Sequence, residues 1–62
     1  MLIETIPAAL HEQRLDRVVA LIADISRATT ATLIELGGVT LDGDAGVAGK
    51  VRVREGQEVT IN

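Results

Sequence analysis

The sequence predicts a small α+β unit, in which two helices pack on one face of an antiparallel sheet of three to four strands. Three observations lead there. Apolar residues alternate at the start of the chain, follow a helical repeat in its middle third, and alternate again towards its end. Each change falls at a breaker or a cap, namely Pro7, Ser26 and the Gly37-Gly38 pair. A chain of 62 residues is at most one domain, and without cysteine its core must come from the 47% hydrophobic content, nearly all of it aliphatic.

The opening "LIETI" alternates Leu2, Glu4 and Ile6 against Ile3 and Thr5 and stops at Pro7, which predicts a short edge strand. Leu15, Val18, Val19, Ile22 and Ile25 then form one apolar stripe, predicting a helix from about Gln13 to Asp24. Ser26 is a favoured helix cap, so a second helix starts almost at once, and a junction this short predicts a steep crossing. That helix carries Thr30, Leu33, Ile34 and Gly37 on one side, helped by Ala31, and Gly37-Gly38 ends it. Val39 and Leu41 alternate with Thr40 ahead of the tight-turn pair Asp42-Gly43, and "DAGVAG" reads as a flexible loop. In "KVRVREGQEVTIN" the alternation predicts a strand with Val51 and Val53 inward and Lys50, Arg52 and Arg54 outward. Glu55-Gly56 then turns the chain into a last strand with Val59 and Ile61 inward.

Composition removes several classes of function. There is no Phe, Tyr or Trp on which a base could stack, so RNA recognition by an aromatic sheet platform is excluded, and any nucleic-acid binding must use charge and shape. A net charge of −3 and a pI near 4.8 oppose non-specific attraction to phosphate. One histidine, no cysteine and scattered carboxylates give no metal-ligand set, and no cofactor motif is present: the glycines lack the lysine and helix of a phosphate cradle. Ser26 has no base or oxyanion partner at a catalytic spacing, and His11 reads as a solvated loop residue. No apolar run approaches the ~20 residues that span a bilayer, and no basic flank precedes a hydrophobic core at the start, so the cytoplasm is the expected location.

The ordered set Arg14-Leu15-Asp16, Ser26-Arg27, Leu33-Ile34 with the following glycines, Val39 to Gly43, and Val53 to Gly56 resembles the small RNA-binding domain named after the fourth protein of the small ribosomal subunit. The lead-in "IETIPAALHEQRLDRVVA" is most similar to the version at the N-terminus of ribosomal RNA pseudouridine synthases of the large-subunit type. The resemblance implies the ribosomal-protein-four-like (alpha-L) fold and a single RNA-binding domain over residues 1–62, the N-terminal fragment of a longer pseudouridine synthase. It implies a monomer with no catalysis of its own, no metal and no cofactor, whose partners are structured ribosomal RNA and the catalytic domain in cis.

By position, Arg14, Ser26 and Arg27 match the family pattern, and Arg17 lies one helical turn beyond Arg14. Lys50, Arg52 and Arg54 join the candidate RNA-binding set through charge and strand alternation. Arg27 is the most telling, because a cation in a helix's first turn opposes the macrodipole, whereas beside free N–H groups it would help hold a phosphate. That reading needs Arg14 and Arg27 on one side of the molecule, and neither tied to an acid beneath the surface. Asp16 itself reads as an acid that favours the start of its own helix. Thr32, Gly38, Asp42 and Asp44 depart from basic or amide residues common in relatives, and residues 28 to 49 hold three acids and no base. The expectation is weak RNA binding by the domain alone, strengthened by a tethered partner. The alternatives are a protein-interaction module of the same fold with an eroded RNA face, or a stand-alone ribosome-associated binder.

Overall fold

The computed structural model describes residues 1–62 and has two helices packed on a three-stranded antiparallel sheet. The strands are β1 (Leu2–Thr5), β2 (Val39–Leu41) and β3 (Glu58–Ile61), ordered β1-β3-β2, and the helices are α1 (Leu15–Ala23) and α2 (Arg27–Glu35). A single 3-10 turn, Ala8–Leu10, follows Pro7. Register places Leu2 and Val39 on either side of Ile61, and Glu4 and Leu41 on either side of Val59. Opposed residues of an antiparallel pair share a face, so Val39, Leu41, Val59 and Ile61 form one apolar layer. It closes with Ile6, Leu15, Val18, Val19 and Val53 into a nine-residue aliphatic core.

Local chemistry explains the boundaries. Arg14 stands at the N-cap position of α1 without a side-chain cap bond, and Asp24 ends that helix in the left-handed region at φ 55°, a conformation Asp tolerates better than most residues. Ser26 starts α2 as expected: its Oγ accepts from the Thr29 N–H at 3.0 Å and donates to Thr29 Oγ1 at 2.9 Å. Thr30, fully buried, donates its hydroxyl to the Ser26 carbonyl at 2.9 Å, so a polar side chain enters the core satisfied. Gly37 takes φ +78° just past α2, and the Gly38 N–H returns to the Leu33 carbonyl at 2.9 Å. The Asp42-Gly43 turn has both residues at positive φ, and Leu41 and Asp44 exchange backbone hydrogen bonds across it.

One predicted strand is absent from the sheet. Lys50–Arg54 runs as an extended strap outside the three strands, making a single bridge between Arg52 and Arg14. Its backbone bonds go to residues 12–15 at the entry to α1: Leu15 N–H to the Val51 carbonyl, Val53 N–H to the Gln13 carbonyl and Glu12 N–H to the Val53 carbonyl. Val53 is buried as expected, but Val51 is 36% exposed rather than inward. Both edges of β3 are already taken by β1 and β2, so the strap satisfies its polar groups against the 12–15 segment instead. The helix bounds also tighten, α1 beginning at Leu15 rather than Gln13, with Gly37 lying outside α2. No helix is long and apolar enough to cross a membrane.

Candidate nucleic-acid interface

The candidate residues divide into a corner at the start of α1, a groove along α1 and α2, and the strap. At the corner, Arg14 Nη2 donates to Asp16 Oδ2 at 3.0 Å, and Arg27 Nη2 lies 3.3 Å from the same oxygen. Two arginines 13 positions apart in the chain therefore converge on one carboxylate. Their side chains stay 49% and 59% exposed, whereas that of Asp16 is only 14% exposed. Each guanidinium therefore gives one nitrogen to Asp16 and keeps further N–H donors facing water.

The first half of the sequence requirement is met, since Arg14 and Arg27 share one side. The second is not, since both are tied to an acid that is mostly buried, so a phosphate site here cannot use free arginines and must use the guanidinium N–H groups that Asp16 leaves exposed. The physical reason is that Arg27 needs a counter-charge in the folded chain, and Asp16 supplies it from the neighbouring helix. Asp16 thus does more than favour its own helix start, a role that needed the helix pairing to be visible. Burial is the largest influence on its carboxyl and pushes the pKa up. The Arg14 hydrogen bond and charge, the nearby Arg17 backbone N–H and the Arg27 charge together outweigh it and hold the group below its ordinary value. Asp16 Oδ1 is buried without a hydrogen-bond partner, and Oδ2 is the oxygen both cations reach.

Arg17 makes no ion pair and lines an open groove with Ala20, Leu21, Asp24, Ile25 and Arg27. Ser26 is the cap of α2, and its hydroxyl is engaged with Thr29, leaving the Arg27 and Ala28 N–H groups as the free donors of that helix start. On the strap, Arg52 faces the same side as Arg14 across their bridge, and its Nη1 donates to the Glu12 carbonyl at 2.9 Å. Lys50 and Arg54 are exposed and form no ion pair. The strap therefore adds cations beside the corner, although not as the face of a sheet strand.

No protein-family model and no curated protein matches this chain. The corner contains no nucleophile, no paired carboxylates and no cluster of metal-ligating side chains. It offers two planar guanidiniums gathered at one oxygen, a third cation on the strap and a fourth in the groove, an arrangement suited to phosphate oxygens. His11 is a residue that sequence reasoning undervalued: its Nδ1 accepts from the Glu55 N–H at 2.9 Å, tying the segment before Arg14 to the turn after the strap. A lone histidine carries no spacing signal, so only the fold reveals that contact.

Proposed function

We propose that this chain is an RNA-binding domain of the ribosomal-protein-four type, which uses the corner of Arg14 and Arg27 to engage phosphates of structured RNA. The observation that carries the reading is the convergence of these arginines on Asp16 with both guanidiniums still open to solvent. Arg17, Arg52, Lys50 and Arg54 extend the basic surface, and Ser26 acts by starting the helix that carries Arg27. Because residues 28 to 49 carry three acids and no base, the domain binds weakly alone, and attachment to a catalytic domain supplies effective concentration. By the resemblance in residues 3–20 and in its helix pair, that domain is a pseudouridine synthase acting on ribosomal RNA in the cytoplasm.

The test is a chemical-shift titration of the chain with a structured ribosomal RNA hairpin at two salt concentrations. Binding through this corner moves the Arg14, Arg17 and Arg27 resonances first and weakens as salt rises. No shift at low salt overturns the reading. A protein-docking role for the helix pair is favoured by one observation, the 60% exposed Leu21 set between Arg17 and Asp24 in the groove. It predicts shifts centred on Leu21 with a protein partner and none with RNA.

A further inference from the structure

Resting on the RNA reading above, we infer that Asp16 is a positioning residue, which pre-orders Arg14 and Arg27 as a pair for adjacent phosphate oxygens. The carboxylate is held from three directions. Its own N–H donates to the Gly49 carbonyl at 3.0 Å, its position in the first turn of α1 fixes its backbone, and both guanidiniums close on Oδ2. Gly49 roofs the acid so closely that a Cβ there would stand 3.1 Å from Asp16 Cβ and 3.4 Å from Oδ2. An acid with 14% of its side chain exposed, beneath arginines about half exposed, sits behind the cations rather than in front of them. Phosphate approaching from solvent meets guanidinium first.

Pre-ordering matters because fixing a long side chain on binding costs a factor of a few to about tenfold in affinity, and here both side chains are already drawn to one oxygen. Bare charge counting makes the opposite prediction. Neutralising Asp16 would remove one negative charge from a chain of net −3, and should tighten binding to a polyanion. The two accounts differ in sign, which makes them separable.

The experiment uses the full chain with the Asp16→Asn, Gly49→Ala and Asp24→Asn variants, each checked for folding by its amide spectrum. Asp24→Asn removes an acid that lines the groove beside Arg27 but pairs with neither corner arginine, and Asn suits the left-handed backbone there. Guanidinium proton signals of Arg14 and Arg27 are recorded without RNA, and affinity for a structured ribosomal RNA hairpin is measured at two salt concentrations. The expected result is that Asp16→Asn frees the rotation of both guanidiniums and weakens RNA binding by on the order of tenfold. Asp24→Asn binds as tightly as the parent chain or more tightly. Gly49→Ala, whose new Cβ would stand 3.1 Å from Asp16 Cβ and press on the acid at unchanged charge, shifts both readouts in the direction of Asp16→Asn by a smaller amount, and it carries the test should Asp16→Asn fail to fold. Tighter RNA binding by Asp16→Asn, or unchanged guanidinium signals in a folded Gly49→Ala or Asp16→Asn chain, overturns the positioning role while leaving the RNA reading intact. Absence of RNA binding by the parent chain overturns both.

Discussion

Arg27→Glu probes the site with little disturbance to the fold, because the side chain is 59% exposed and touches the protein chiefly through one oxygen of Asp16 at 3.3 Å. An ion pair this exposed contributes about 0–1 kcal/mol. Glu in the first turn of α2 recovers about 0.3–1 kcal/mol through the macrodipole, offset by repulsion from Asp16. The net change in stability should therefore stay within about 1 kcal/mol, or roughly 4–8 °C in Tm for a domain of this size. RNA binding should respond far more. The substitution exchanges a charge-assisted hydrogen bond of about 1.5–3 kcal/mol for repulsion, so affinity falls by at least about tenfold. The salt slope falls by about 0.9 for each phosphate that is no longer neutralised, on the duplex scale. Thermal unfolding followed by circular dichroism measures the first quantity, and titration with a ribosomal hairpin across a salt series measures the second. A variant that folds and binds with the parent affinity and slope would refute the assignment of Arg27 to RNA. A variant destabilised by several kcal/mol would show that the bond to Asp16 is chiefly structural.

Three further outcomes are expected. Leu15→Ala empties a fully buried position and should cost about 2–5 kcal/mol; a chain this short holds roughly 3–9 kcal/mol in all, so urea titration should find a markedly lowered midpoint. Gly43→Ala should cost about 1 kcal/mol through backbone strain alone, since φ is +84° and nothing lies within 4 Å of the new Cβ, and a lowered Tm with an otherwise parent-like amide spectrum checks it. The Asp16 pKa is lower folded than unfolded, so its stabilisation is present above the unfolded value and is lost as pH falls through the folded one. Denaturation measured from about pH 5 downward should accordingly show a smaller loss of stability in Asp16→Asn than in the parent chain.

Much of the fold was legible because its signals are local. Leu15, Val18 and Val19 repeat at helical spacing, Val59 and Ile61 alternate, and all five are core residues. Ser26 and Gly37 carry the chemistry of a helix start and a helix end at the positions where those ends occur. Lys50 to Arg54 misled because alternation says only that a segment is extended and half-buried; it does not say which edge receives it. With β1 and β2 on either side of β3, no sheet edge was left for the strap beside it, and its partner became the 12–15 segment. The corner was legible only in part. The arginines stood out by charge and position, but their meeting at Asp16 depends on how α1 and α2 pack, which no spacing within either helix encodes.

The cation at the start of α2 now has two explanations, and they act on different states. Within the folded chain, Asp16 answers Arg27 and removes most of the local electrostatic penalty, so no ligand is required for the helix to form there. That alone would explain one arginine. It does not explain why Arg14 reaches the same oxygen, since a second cation on a single carboxylate leaves the cluster with a net positive charge and half-open guanidiniums in a chain that is otherwise acidic. A purely structural pair would be served by one arginine and would expose less charge. If the excess has a use, it lies in binding an anion, and the discriminating comparison is Arg14→Gln against Arg27→Gln: a structural pair makes the two differ in stability and leaves RNA binding untouched, whereas a phosphate site makes both lose RNA affinity with Tm changes of only a few degrees.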